Sequence, residues 1–147
     1  RGLGDVYKRQ DNIIRVIKGT NFDYFSKEAQ NSFFSQDFSV TKLVDRMGIR
    51  LSGNELENTV NTNIKSEGLV RGAIQVPADG NPIIMLSDHG TIGGYPKIGV
   101  VISADLDRVC QLTPGSVINF KEVSLEEAQN IFKSYADDTN RYLDECN

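Results

Sequence analysis

The sequence predicts a mainly β protein, namely a closed or nearly closed antiparallel β-barrel with short helices and a C-terminal α-helix. Short apolar segments with β-branched residues recur along the 147 residues, and glycine, proline or asparagine bounds most of them. These strand-like segments do not alternate regularly with helical ones, which disfavours a parallel sheet. Short strands at close spacing are typical of a barrel, because closing the sheet removes its exposed edges.

The first third of the chain predicts three strands and one helix. Residues 12–19, NIIRVIKG, alternate apolar and polar positions and stop at a glycine, which indicates a strand. Ser26 suits the N-cap of a short amphipathic helix with Ala29 and Phe33 on one face. Residues 38–53, FSVTKLVDRMGIRLSG, are rich in β-branched residues and contain an internal glycine, which predicts two short strands around a kink.

The middle of the chain predicts a hairpin, a further strand and a short helix. Residues 68–77 and 81–87 flank the turn sequence Ala-Asp-Gly-Asn, which favours two hairpin strands. The segment 97–103, KIGVVIS, is typical of a buried strand. Residues 104–112 follow Ser103, which predicts one or two helical turns capped by that serine.

The C-terminal part predicts a strand and then a long helix. Residues 113–120, TPGSVINF, predict a Pro-Gly turn that leads into a strand. Ser124 and Glu127 have the spacing of a capping box, which marks a helix start. The apolar and small residues that recur behind it at three- and four-residue steps are Leu125, Ala128, Phe132, Tyr135, Thr139 and Tyr142.

Composition and charge narrow the functions open to the chain. A hydrophobic share of 39% over 147 residues suits one globular domain. The formal charge of -4 disfavours nucleic acid and anionic membranes as partners, and no apolar run approaches the roughly 20 residues that cross a bilayer. Cys110 and Cys146 form no CxxC pair, and a single histidine cannot complete a usual zinc site with them. We therefore expect a cytoplasmic protein without a metal.

The first ten residues, RGLGDVYKRQ, fit neither strand nor helix periodicity. Within them, DVYKRQ resembles the translation of a transposon-end adapter used in preparing sequencing libraries. We therefore interpret residues 1–10 as non-native and residues 11–147 as a single domain that lacks its natural N-terminal part.

The segment 87–97, SDHGTIGGYPK, is the most unusual in the chain. One interpretation is a tight connection between strands, in which Gly93 and Gly94 supply positive φ angles. The other is a ligand-binding loop, because two glycines alone would suffice for a turn. A nucleotide-binding P-loop is excluded, since Lys97 follows Pro96 and a strand comes next.

As a ligand-binding loop, this segment suits anions or carbonyl groups. Lys97 offers a positive charge to a carboxylate, and glycine amides can approach a ligand oxygen. Asp88 beside His89 offers acid-base capacity near neutral pH. Thr91 is a poor candidate nucleophile, because His89 is the one base near it in sequence.

A second group of polar residues also lies beside glycines in strand-like segments. Arg46 and Arg50 flank a glycine, and Glu67 and Gln75 lie near two others. Such residues fit poorly on a plain solvated strand face. They either form a shared polar pocket or serve structure, with Arg46 paired to Asp45 or Glu67.

Three motifs carry a family resemblance: DRMGIRLSG, SEGLVRGAIQVPADGNPI and the SDHGTIGGYPK loop, in that order. Residues 12–127 resemble the C-terminal half of the biotin-dependent carboxyltransferase family, also called allophanate hydrolase subunit 2. The family's loop usually reads D-R-Q-T-T-GGYPK, and this chain departs from it at His89, Gly90 and Ile92.

The resemblance implies a cyclophilin-like β-barrel and a bacterial enzyme component. The family includes one component of ATP-dependent 5-oxoprolinase, which opens 5-oxoproline to glutamate together with A-like and B-like partner proteins. ATP would then be bound by one of these partners. Two alternatives remain open: transfer of a carboxyl group from carboxybiotin to urea or a similar acceptor, with biotin as cofactor, and non-catalytic regulation through a partner protein that resembles a kinase inhibitor.

The resemblance also supplies candidate site residues. It implies that Lys97 holds a carboxylate or a developing oxyanion. The catalytic candidates are Lys97, Asp88 and Glu67. The substrate-binding candidates are Arg46, Gln75, Thr91, Gly93, Gly94 and Tyr95.

Overall fold

A computed structural model describes residues 12–44, 48–58, 70–86 and 95–134. These ranges contain seven strands: β1 (Ile13–Lys18), β2 (Phe38–Val44), β3 (Gly48–Ser52), β4 (Ala73–Gln75), β5 (Ile83–Met85), β6 (Lys97–Val101) and β7 (Val117–Glu122). The helices are α1 (Lys27–Ser35), α2 (Leu106–Cys110) and α3 (125–134), with 3₁₀ turns at Phe22–Tyr24 and Ser103–Asp105. Every strand and helix predicted from the sequence has a counterpart among these elements.

The strands form a closed barrel in the order β1-β6-β4-β5-β3-β2-β7. This confirms the predicted barrel. One detail differs from the antiparallel prediction: β1 and β7 pair in parallel, with Ile13 opposite Asn119. The other ladders between the described strands are antiparallel. A parallel pair needs a long connection, and more than one hundred residues separate these two partners.

Aromatic side chains fill the barrel where α1 covers it. Phe33 of α1 stacks on Phe120 of β7, with ring centroids 4.6 Å apart. Phe38 packs against Phe120 at 5.5 Å. All three rings are at most 2% exposed. The apolar face predicted for the helix is therefore the face that joins the core, and Ala29 is buried on it as well.

Helix α1 begins where the sequence predicts. Ser26 has extended backbone angles, and its hydroxyl accepts a hydrogen bond from the amide of Ala29 at 3.1 Å. This bond satisfies one of the amides that the first turn of a helix leaves without an intrahelical partner.

Replacing Ser26 by alanine should therefore lower the free energy of unfolding by about 1 kcal/mol. Urea denaturation at neutral pH measures this change. Ser35→Ala is the matched control, because Ser35 is exposed in the last turn of the same helix and should change stability little. Equal stability of the two variants would contradict the capping role.

The predicted hairpin is also present. β4 and β5 pair antiparallel, with Gln75 opposite Ile83. Gly80 has a φ of 80° within the turn, and its amide donates to the carbonyl of Pro77 at 2.9 Å. The turn sequence therefore works as expected, since glycine adopts positive φ without steric cost.

The cap predicted for α2 is wrong. Ser103 begins a 3₁₀ turn, and the N-cap position of α2 is Asp105, whose side chain makes no capping bond. The Asp105 carboxylate instead accepts from the backbone amide of Arg15 at 2.7 Å and from its guanidinium at 2.6 and 3.0 Å. The Asp105 side chain thus binds strand β1 and makes no capping bond to α2.

Asp105 is the most deeply buried charged group among the described residues, with 0% exposure. A second guanidinium, that of Arg108, lies 3.2 Å from its carboxylate. Burial alone would raise the pKa of Asp105, but the hydrogen bonds from Arg15 and the charges of both arginines outweigh it and hold this pKa below its usual value. The hydrogen bond to Asp105 likewise raises the pKa of Arg15.

Helix α3 starts with the predicted capping box. The amide of Glu127 donates to the Ser124 hydroxyl at 3.0 Å, and the amide of Ser124 donates to the Glu127 carboxylate at 3.4 Å. Its apolar stripe is not part of the core, because Leu125 and Phe132 are 62% and 54% exposed. The stripe positions from Tyr135 onward lie outside the described residues.

Two further predictions concern the ends of the chain and its relation to membranes. Residues 1–10, predicted to be non-native, lie outside the described ranges, and so does Cys146. Across the ranges that the structure does describe, no helix combines the length and apolar character needed to cross a membrane.

Candidate functional site

The site is built on the outer face of four neighbouring strands, β6, β4, β5 and β3. Their register places one residue from each strand in a single row. Lys97 lies opposite Gln75, Gln75 opposite Ile83, and Ile83 opposite Arg50. Neighbouring strands are about 4.8 Å apart, so the Cα atoms of Lys97 and Arg50 are separated by roughly 14 Å. A positive side chain therefore stands at each end of the row.

The burial pattern shows that this row faces away from the barrel core. Ile74 and Ile84, which alternate with the row residues along β4 and β5, belong to the core cluster. Ala73 and Met85 form a separate small apolar cluster with Ile83. These three residues form an apolar patch on the face opposite the core, and one of them, Ile83, belongs to the row itself.

Of the predicted site residues, the structure brings together Lys97 and Gln75 and places Tyr95 two positions before β6. Gln75 is only 4% exposed, whereas Tyr95 is 37% exposed. The amide of Val76 donates to the carbonyl of Pro96 at 3.0 Å, which extends the β4–β6 contact towards Tyr95. Gln75 is thus one of few buried polar side chains in the described part of the chain, directly opposite the candidate lysine.

The remaining candidates lie outside the described residues, so their predicted roles stay predictions. They are Asp88, Glu67, Arg46, Thr91, Gly93 and Gly94.

Two residues that the structure relates to Lys97 are not among the catalytic or substrate-binding candidates, although Arg50 belongs to the group of polar residues beside glycines. Arg50 ends the row, and its position could be found only from the strand register. Asn21 follows β1 and forms two hydrogen bonds with the backbone of Lys97, one as acceptor and one as donor. Its side-chain Oδ1 accepts from the Lys97 amide at 3.0 Å, and its own amide donates to the Lys97 carbonyl at 3.2 Å. The signal for Asn21 in the sequence is a polar residue two positions after the glycine that ends a strand.

A small open cavity adjoins the Arg50 end of the row. It has a volume of about 140 Å³ and is lined by Thr41, Arg50, Leu51, Ser52, Asp79 and Asn81. Hydroxyl, amide and guanidinium groups of this kind bind oxygen atoms of small ligands.

Each end of the row, taken by itself, suits the anionic group of a small ligand. An ammonium group and a guanidinium group can bind carboxylate or a developing oxyanion, and a buried amide can orient a polar ligand atom. Within the described ranges, no group of three or more histidine, cysteine, aspartate or glutamate side chains could hold a metal ion.

Comparison with protein families gives a direct match. The family model described as carboxyltransferase domain, subdomain A and B, matches residues 4–122. This span includes all seven strands of the barrel and every candidate site residue.

Curated relatives include two proteins named as the C component of 5-oxoprolinase. The chain is 38% identical to the Escherichia coli protein over 117 residues, which cover 80% of the chain and 38% of that protein. It is 36% identical to the Haemophilus influenzae protein over 138 residues, which cover 92% of the chain and 45% of that protein. The chain therefore spans less than half the length of these two relatives. Urea amidolyase of Saccharomyces cerevisiae is 31% identical over 121 residues, or 76% of the chain and 6% of that protein.

Solved structures with the same fold include urea carboxylase of Kluyveromyces lactis. It superposes with a TM-score of 0.79 at 29% identity, over 85% of this chain and 12% of that one. The urea amidolyase structure from the same organism gives the same TM-score and identity, over 85% of this chain and 8% of that one.

Proposed function

Because the chain belongs to the carboxyltransferase-domain family, subdomains A and B, we propose that it is part of a 5-oxoprolinase that hydrolyses 5-oxoproline to glutamate with ATP. The observation that carries this proposal is the identity of 38% and 36% to two proteins named as the C component of 5-oxoprolinase, over 80% and 92% of the chain. The urea amidolyases match at 30% and 31% over 76% of the chain, which favours the 5-oxoprolinase relatives.

The chemistry of this reaction fits the candidate row. 5-Oxoproline carries one carboxylate and one lactam. Water adds to the lactam carbonyl carbon, the ring C–N bond breaks and the ring nitrogen takes up the protons of that water, which gives a second carboxylate and an ammonium group. Hydrolysis of ATP to ADP and phosphate by a further water drives this ring opening. Lys97 would bind the substrate carboxylate or the oxyanion that develops on the lactam oxygen, since preorganised donors stabilise such charge. Gln75, opposite Lys97, would orient the substrate through its amide group.

The proposed enzyme works only as a complex. The two 5-oxoprolinase relatives are named as subunits, which supports the expectation of A-like and B-like partner proteins. We expect one of these partners to bind ATP, as the family resemblance implies, and the glycine-rich loop of this chain lacks the pattern of a nucleotide-binding P-loop.

A second candidate function is carboxyl transfer from carboxybiotin to urea or a similar acceptor. The TM-score of 0.79 to urea carboxylase favours it. Here Lys97 would bind the carboxyl group in transit, and biotin would be supplied by another protein or domain.

The deciding experiment measures ADP release dependent on 5-oxoproline. The natural polypeptide that contains this chain is mixed with its A-like and B-like partners, and the same mixture without it is the control. We expect ADP and glutamate to form in equal amounts only in the complete mixture, and avidin to have no effect.

Two outcomes would redirect the assignment. Urea-dependent turnover that avidin blocks would support carboxyl transfer. An assembled complex without either activity would contradict both catalytic functions and favour regulation through a partner protein.

A further inference from the structure

The β1–β6 ladder ends just before it reaches Lys97. Its last registered pair is Lys18 with Gly99, after which the chain turns into the 3₁₀ turn at Phe22–Tyr24. Strand β1 therefore has no residue in extended pairing with Lys97. Asn21 takes that place: its side-chain oxygen accepts from the Lys97 amide, where a strand would offer a backbone carbonyl.

The Asn21 side chain does not form the capping hydrogen bond that its position at the start of a 3₁₀ turn favours. Asn21 is the N-cap of the 3₁₀ turn, and asparagine at such a position usually accepts from an amide one turn ahead. Here the side chain makes no capping bond and contacts a residue 76 positions away. Asn21 is also only 6% exposed, so loss of this hydrogen bond would leave a buried polar group that water reaches poorly.

Gly19 brings this segment close to β6. A Cβ atom at Gly19 would lie 2.4 Å from the carbonyl oxygen of Lys97, which is nearer than real Cβ contacts allow. The amide of Gly19 also donates to the carbonyl of Ile98 at 3.0 Å. Because Gly19 has no side chain, the backbone of residues 19–21 can pack directly against β6, which brings Asn21 within hydrogen-bond distance of Lys97.

From this geometry we propose that Asn21 is a positioning residue for Lys97. It fixes the Lys97 backbone on the β1 side, while Gln75 pairs with it on the β4 side, and together these contacts set where the Lys97 ammonium group lies. The catalytic meaning of this role rests on the proposed function. The contact itself does not.

The test compares Asn21→Leu, which removes the acceptor at similar size, with Asn21→Asp, which keeps an acceptor for the Lys97 amide. Two readouts are taken on the assembled complex: kcat/KM for 5-oxoproline, and the rate of acetylation of Lys97 by acetic anhydride relative to that of Lys121, followed by mass spectrometry. Lys121 is exposed on β7 and serves as the internal reference.

We expect Asn21→Leu to lower kcat/KM at least about tenfold, in line with the sensitivity of catalysis to small misplacements. The ratio of Lys97 to Lys121 acetylation should change at least about threefold, and Asn21→Asp should restore both values to within about threefold of wild type. Asn119→Leu is the matched control, because Asn119 also links two parts of the barrel by its side chain but lies on β7. The Asn119→Leu variant should be less stable than wild type, but its kcat/KM for 5-oxoproline and its ratio of Lys97 to Lys121 acetylation should equal the wild-type values. If Asn21→Leu does not fold, Asn21→Ala replaces it.

An unchanged acetylation ratio in a folded Asn21→Leu complex would overturn the proposal, whatever happens to turnover. A changed ratio with unchanged turnover would support Asn21 as the residue that positions Lys97, and would remove Lys97 from the reaction. If the wild-type complex lacks 5-oxoproline turnover, the proposed function fails, and the acetylation ratio alone decides the role of Asn21.

Discussion

Replacing Lys97 by alanine should lower kcat/KM for 5-oxoproline at least about 100-fold in the assembled enzyme, the usual effect of removing one preorganised donor to a developing oxyanion. The barrel should stay folded. Lys97 stands on the face opposite the core and its neighbour in the row is the amide of Gln75, so removal of its side chain leaves no cavity in the aromatic cluster. Steady-state ADP release and a thermal unfolding scan measure the two effects.

The matched control for this substitution is Lys121→Ala. Lys121 is an exposed lysine on another strand of the same barrel and should change neither activity nor stability. Lys97→Arg tests whether positive charge alone is sufficient, because a guanidinium retains the charge but has a different shape from an ammonium group. We expect this variant to recover only part of the activity. Turnover by Lys97→Ala within about threefold of wild type would remove Lys97 from the catalytic machinery.

Replacing Asp105 by asparagine should lower the free energy of unfolding by roughly 3 kcal/mol at pH 7, at the low end of the cost of breaking a buried ion pair. The low end applies because Arg15 and Arg108 retain 32% and 39% side-chain exposure and can recover part of their hydration. Urea denaturation of the two proteins gives the difference. Asp23→Asn, at an exposed position in the first 3₁₀ turn, is the matched control and should leave stability nearly unchanged.

The stabilisation by Asp105 should also depend on pH in a defined direction. Its pKa is lowered in the folded protein, so the unfolded chain binds the proton more tightly. The contribution is therefore fully present above the unfolded pKa of about 3.9 and is lost as the pH falls through the lower folded value. The difference between wild type and Asp105→Asn should stay constant from pH 7 to about 5 and shrink below about pH 4. A difference that grows on acidification would contradict this assignment.

The local elements of the fold can be predicted because their signals lie within a few residues of each other. Ser26 and Ser124 cap helices at the expected positions, and Gly80 turns the hairpin. The predicted cap at Ser103 is wrong because Ser103 lies inside the 3₁₀ turn that leads into α2, and Asp105, at the N-cap position, makes no capping bond either. Asp105 forms a charge-assisted contact with Arg15, 90 positions away, and such contacts are stronger than a neutral capping bond.

The candidate site can be predicted only in part. Lys97 and Gln75 are candidates for separate reasons, and the barrel register brings them opposite each other. Asn21 is not predicted, and Arg50 is named only within the group of polar residues beside glycines, because their relation to Lys97 arises from strand pairing and from a turn that packs against β6. A single sequence carries no direct signal for pairings over such separations.

The parallel pair of β1 with β7 has a consequence for the order of assembly during synthesis. Strand β1 leaves the ribosome before both of its partners, β6 and β7, which lie about 80 and 100 residues further along the chain. At about 5 to 20 residues per second, β1 stays without either neighbour for several seconds. During that interval its alternating apolar residues form an open edge of the kind that pairs with other chains. Among the strands that the structure describes, β7 is made last, and its pairing with β1 closes the ring.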